Sequence, residues 1–194
     1  MTPDDYAAVA ERHPEVQRAA ATFRWTGSWY TVFLTVDRLG GLPVDEDFAD
    51  QLRRHLERFR MAGYDLEIDG PRFVPLEIEL QVCIRPDYFR SAVKAALLEV
   101  FSSRNLPDGR RGVFHPDKSS LGQPVLLSRL MAAAHGVTGV ESVRATKFER
   151  QGRPSRDALE TGRIEIGRLE IAQLDNDPSF PERGKFHVVL GGGK

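Results

Sequence analysis

The sequence predicts an α+β fold: a ferredoxin-like split βαβ core with an additional helix and extra antiparallel strands. Three observations predict it. Two stretches, Val44–Gly63 and Asp87–Ser103, carry apolar residues at helical spacing. Around them lie runs in which apolar and polar residues alternate, most cleanly over Arg72–Ile84. From Trp29 onward the order reads strand, helix, strand, strand, helix, extra helix, strand, which is the succession of the split βαβ plan.

Each element has its own signal. Asp4–Arg12 reads as a helix capped by an aspartate and ended by Pro14, because a residue before proline is disfavoured in helix. Val16–Trp25 and Trp29–Asp37 are rich in β-branched and aromatic residues and flank Thr26-Gly27-Ser28, the pattern of a hairpin. In the second run Trp29, Thr31, Phe33 and Thr35 alternate with Tyr30, Val32, Leu34 and Val36. Both faces are largely apolar, which implies a strand covered on both sides or placed at an interface. In the first helix-like stretch Phe48, Leu52, Leu56 and Phe59 share one side, acids crowd the first turn and Gly63 follows the end. Tyr64–Asp69 and Arg72–Ile84 read as a strand pair about Gly70-Pro71, with Leu76, Ile78, Leu80, Val82 and Ile84 inward. The next helix presents Phe89, Val93, Ala96, Leu97, Val100 and Phe101 as its stripe.

After a polar loop over 104–120, a third helix begins near Pro124 and ends at Gly136. Gly139–Arg150 and Gly162–Gln173 read as strands, joined by a polar segment with a mobile tip. Lys185–Leu190 is a last short strand. The resulting division is an N-terminal helix or arm over 1–14, a main α+β domain over 15–150, and C-terminal strands with an extended tail over 151–194, packing on or beside the core.

The chain has 194 residues, enough for one substantial domain or two small ones. With 27 Lys and Arg against 28 Asp and Glu, it has no basic field for nucleic acid. The local cluster Arg53, Arg54, His55, Arg58 and Arg60 is interrupted by Glu57 and lacks an aromatic platform, so it reads as a solvated or acid-docking helix face. The single cysteine, Cys83, rules out an intramolecular disulfide and fits a reducing compartment. No apolar run approaches the roughly 18 residues of a membrane span, and the polar, acidic N-terminus is not a signal peptide. The expectation is a cytoplasmic protein with neither nucleic acid nor membrane as partner.

No constellation in the chain demands chemistry, so no catalytic residue, metal ligand or cofactor is assigned. His115-Pro116-Asp117-Lys118-Ser119 gathers a base, an acid and a hydroxyl, but sequence neighbours rarely meet in catalytic geometry and no GxSxG turn occurs. The five histidines lack ligand spacing. Asp175 and Asp177 imitate the start of a calcium loop, yet Phe180 and Phe186 stand at the sixth and twelfth positions, where an EF-hand needs Gly and Glu. The reading for that stretch is a rigid turn, built by Asp175, Asn176 and Asp177, that presents Phe180. A small hydrolase or calcium- and ligand-binding module remains the alternative, and it requires the His115–Ser120 loop and the Asp175/Asp177 turn to converge on one pocket.

Two strings are more specific than any of these motifs: GRRGVFHPDKSSLGQPVLLSRLMAAAHG and LEIAQLDNDPSFPERGKFHVVLGGG. DDYAAVAERHPEVQRAAATFRWTGSW and RMAGYDLEI agree with them. On these residues the chain resembles the C-terminal part of the baseplate assembly proteins, the J-like family of contractile phage tails and phage-tail-like injection systems. Relatives of that type carry a long N-terminal part that this chain lacks. The resemblance implies a structural wedge component, not an enzyme, that assembles around the central spike hub and contacts other wedge proteins, in the cytoplasm or within a released particle; self-association is a further expectation. Trp25, Trp29, Tyr30, Phe114 and Phe180 are the interface candidates, because buried aromatics dominate interface energetics.

Overall fold

The computed structural model describes every residue except Pro107 and Ser155, with backbone alone at Arg156. The described chain forms α1 (Pro3–Ala10), β1 (Val16–Trp25), β2 (Tyr30–Arg38), α2 (Glu46–Glu57), β3 (Tyr64–Asp69), β4 (Arg72–Ile84), α3 (Arg90–Val100), β5 (Val125–Leu126), α4 (Leu127–His135), β6 (Val140–Arg150), α5 (Arg156–Thr161), β7 (Arg163–Ile164), β8 (Glu170–Gln173) and β9 (Lys185–Gly192). These divide into two compact units. The first is Met1–Arg72 with Ser120–Gln123 and Gly167–Ile171; the second is Phe73–Ser119, Pro124–Ile166 and Ala172–Lys194.

In the first unit α1 starts because Thr2 caps it. The Thr2 hydroxyl accepts the Asp5 amide at 3.2 Å, and the Asp5 carboxylate accepts the Thr2 amide at 2.7 Å, closing a capping box with Pro3 behind it. These bonds hold the Asp5 carboxyl below the usual carboxylate range. The cap is therefore Thr2 and not an aspartate. β1 and β2 pair antiparallel from Val16↔Arg38 to Trp25↔Tyr30, so the hairpin stands. Trp29 lies in its turn, with its carbonyl accepting the Thr26 amide at 3.0 Å. β2 and β3 pair parallel from Tyr30↔Tyr64 to Thr35↔Asp69, and α2 makes the crossover that parallel strands require.

One face of this sheet meets the helices. Tyr6, Val9 and Ala10 of α1 and Phe48, Leu52 and Leu56 of α2 bury against Ala19, Ala21, Val32, Leu34, Val36, Leu66 and Ile68. Burying each Val, Leu, Ile or Phe among them stabilises by roughly 1.5–3 kcal/mol. Phe59, expected on the α2 stripe, falls beyond the helix end and is exposed. Arg38, with only 10% of its side chain exposed, fastens one end of the unit. Its guanidinium lies 4.0 Å from the Phe48 ring centre and donates to Glu15 at 2.5 Å, to the Pro43 carbonyl at 2.6 Å and to Asp45 at 3.4 Å. Asp45 in turn caps α2 by accepting the Phe48 amide at 2.8 Å.

The second unit is organised on β4. It pairs antiparallel with β6, from Leu76↔Arg150 to Ile84↔Val140, and parallel with β9, from Glu77↔Lys185 to Ile84↔Gly192; β8 joins the same sheet. The alternation read from the sequence holds, since Leu76, Ile78, Leu80, Val82 and Ile84 are all buried. Val93 and Leu97 of α3, Phe101 just after it, Leu130 and Ala134 of α4, and Phe148 and Phe186 complete this core. The Phe101 and Phe186 rings stack at 4.5 Å.

The α+β class is as expected, but the strands are shared out differently from a single ferredoxin-like sheet. β3 and β4 do not pair about Gly70-Pro71; they belong to different sheets. Pro71 has no amide to give to a ladder, and the two strands serve separate cores, Leu66 and Ile68 in one and Leu76 to Ile84 in the other. The boundary at Arg72/Phe73 thus falls inside the stretch read as one domain over 15–150. Phe89 caps α3 from outside and is the most exposed large apolar residue at 64%, so it is not part of the stripe. The third helix starts at Leu127, because Val125 and Leu126 pair with Ile164 and Arg163 as β5 and β7. The polar segment over 152–161 contains helix α5; its tip at Ser155 lies outside the described residues. β9 is longer than expected and takes in Gly191 and Gly192, where a side chain on Gly192 would meet the Ile84 carbonyl at 2.4 Å.

Arg38→Ala should destabilise the chain by about 1–3 kcal/mol in urea unfolding, since it uncovers Phe48, leaves the Pro43 carbonyl without its donor and removes two ion pairs whose carboxylates are half exposed. Arg38→Lys should recover less than half of that loss, because a lysine cannot reach three acceptors while lying over a ring.

Candidate interaction surfaces

The strands of the first unit outrun its helices. A ten-residue strand such as β1 spans about 33 Å, whereas the eight residues of α1 and the twelve of α2 span about 12 and 18 Å. The core face therefore continues past the helices and ends in aromatic residues. Phe23 is the last covered position, its ring 5.8 Å from Tyr6 and 5.4 Å from Tyr64. Beyond it Tyr30 stacks on Tyr64 at 5.7 Å and meets Trp25 edge-on at 5.3 Å. Trp25, Trp29 and Tyr30 are 59, 54 and 47% exposed. Three of the five sequence candidates are thus grouped at one end of one sheet. Tyr64 belongs with them but was not singled out, because only the β2–β3 pairing brings it beside Tyr30.

The remaining two candidates lie in the second unit. Phe114 is partly buried against the core, 6.2 Å from Phe101, so it serves packing. Phe180 is exposed at the tip of the turn, with the Arg183 guanidinium 4.5 Å from its ring centre. The turn is built by side-chain to backbone bonds. Asp177 accepts the Ser179 amide at 2.8 Å, Asn176 accepts the Phe186 amide at 2.9 Å from a left-handed backbone (φ 50°), and the Asp175 amide donates to the Arg183 carbonyl at 3.0 Å. Burial pushes the Asp175 carboxyl up, while Arg183 at 3.8 Å and Gln173 at 3.2 Å pull the other way.

None of the cavities described is lined by both halves of the enzymatic alternative. Asp175 and Asn176 line a cavity of about 440 Å³ whose other described walls are the end of α3 and residues 101–106. His115 is buried, and its Nδ1 accepts the Asp117 amide at 3.2 Å; Asp117 pairs with Arg111 at 3.0 Å. Those bonds shape a loop. No group of three or more His, Cys, Asp or Glu side chains suited to a metal occurs among the described residues. The basic side of α2 is matched locally, Arg53 to Asp50 at 2.5 Å and Arg60 to Glu57 at 2.9 Å. No helix among the described residues is long and apolar enough to cross a membrane.

The first unit is an α+β module whose sheet ends in exposed aromatic side chains. Residues 1–69 match the family model of the Baseplate J-like central domain. The match meets the resemblance read from the sequence, and over this stretch it is to a central rather than a C-terminal domain. No curated protein matches the chain. Among solved structures, the chain is similar to one in the cryo-EM structure of the anti-feeding prophage baseplate, 6-fold symmetrised. The identity is 12% and the TM-score 0.49, over 88% of this chain and 36% of that one.

Because the folded state holds the Asp175 proton more tightly than the unfolded chain, the ionised carboxylate costs stability above its raised pKa, and that cost disappears as pH falls toward 3.8. Asp175→Asn, which resembles the protonated acid, should therefore melt higher than the parent at pH 7 and alike at pH 4. Thermal melts at the two values check it.

Proposed function

We propose that this chain is a structural component of a baseplate, in a contractile injection system or a phage tail. It acts as a wedge assembly module whose work is interface burial with other wedge proteins and with hub or spike proteins. The observation that carries the reading is a coincidence of position. The stretch that matches the Baseplate J-like central domain, 1–69, is also the one that leaves Trp25, Trp29, Tyr30 and Tyr64 at the uncovered end of its sheet. Exposed aromatics grouped this way are the residues from which interface hot spots are made. Phe180, held out on a hydrogen-bonded turn, is a second anchor in the same reading, whereas Phe114 packs in the core. Assembly takes place in the cytoplasm, and copies of the chain meet one another as well as their neighbours. No bond-making chemistry is part of this role.

Co-expression with the sheath, tube, spike and wedge proteins of its own system tests the reading. The chain should co-purify with at least one wedge or hub protein. The combined variant Trp25→Ala, Trp29→Ala, Tyr30→Ala should lower that recovery at least about tenfold while keeping the parent's melting cooperativity. Unchanged recovery from a folded variant would remove the aromatic row from the interface, and failure to co-purify at all would remove the baseplate role.

A further inference from the structure

The three-stranded sheet of the first unit has two outer edges, and they are finished differently. Along β1 the outward backbone groups are taken up by side chains. Glu11 accepts the Ala19 amide at 3.1 Å, and Arg168 donates to the Ala21 carbonyl at 3.3 Å and to the Thr22 hydroxyl. Along β3 the Arg60 guanidinium reaches the Tyr64 carbonyl at 2.8 Å, and among the described residues nothing bonds to the outer edge from Asp65 to Asp69. This stretch has no proline, no lysine or arginine, and no residue of positive φ to turn it away. An unpaired edge of this kind is a template for a further strand.

The side chains say what that strand must carry. Leu66 and Ile68 point into the core face and are buried, while Asp65, Glu67 and Asp69 stand exposed on the other face. A strand laid beside β3 has to place apolar residues level with the first set and its remaining residues level with three carboxylates. Acids opposite acids repel, and cations opposite acids attract. We propose that the outer edge of β3 takes on an extended segment of a partner protein in which Lys or Arg alternates with aliphatic residues. The segment would run alongside Tyr64, so that its end residue meets the Tyr30–Tyr64 stack, where a cation is also favoured. The inference concerns the chemistry of the occupant and stands whether or not the baseplate reading does.

The full chain is titrated with a short blocked peptide of alternating valine and lysine, and with the same peptide carrying glutamate for lysine, while amide hydrogen exchange is followed. The lysine peptide should bind at least about tenfold tighter and slow exchange within 64–69. Reversing the charge with Asp65→Lys, Glu67→Lys and Asp69→Lys together should reverse the preference, and Glu67→Lys alone should reduce it. Equal affinity for the two peptides overturns the proposal, as does binding without protection in 64–69. Protection that grows with protein concentration in the absence of peptide also overturns it, by assigning the edge to a second copy.

Discussion

The cover that α1 and α2 give the first sheet, present where Ala19 pairs with Val36 and absent where Trp25 pairs with Tyr30, sets most of what this unit can do. A helix gains less than half the length per residue that a strand does, so short helices cannot roof long strands. Evolution can end such a face in polar residues. Here it ends in Trp, Tyr and Tyr, which keeps the rings in contact with one another and leaves the row open on its outer side. The core and the exposed surface are thus one continuous apolar layer, and the rigidity of the first passes to the second.

Rigidity at the opposite end comes from charge. Arg38 lies flat on Phe48 and holds Glu15, Asp45 and the Pro43 carbonyl together, joining the start of β1, the end of β2 and the N-terminus of α2. The Phe180 turn is fixed in a similar way: Asp177 and Asn176 side chains meet the Ser179 and Phe186 amides, and Arg183 lies over the ring while pairing with Asp175. In both places polar groups fix the backbone so that an aromatic ring is held in one position.

The sequence makes local periodicity legible and partnership illegible. The alternation of Leu76 to Ile84 and the Phe48–Leu52–Leu56 stripe were readable because each repeats within one element. Thr2 was readable in principle, since Thr-Pro-Asp-Asp places a cap, a proline and an N3 acid in order, but the nearer aspartates masked it. Phe89 and Phe59 have helical spacing yet lie just past helix ends, where spacing no longer means burial. That β3 joins β2 and not β4, and that Tyr64 therefore stacks on Tyr30, depends on which of two cores each strand serves. No window along the chain contains that information. Of the candidate surface, the hairpin aromatics were visible as composition, and their grouping only as structure.

Pairing between β4 and β9 joins residues more than a hundred positions apart, Ile84 to Gly192 among them. During synthesis β4 leaves the ribosome long before its parallel neighbour exists, with one edge open and its apolar side chains made for a core not yet assembled. Loop closure over such a distance is slow, and a strand waiting for it is exposed to wrong partners. The sheet of the second unit therefore cannot close until residues 185–192 have been made.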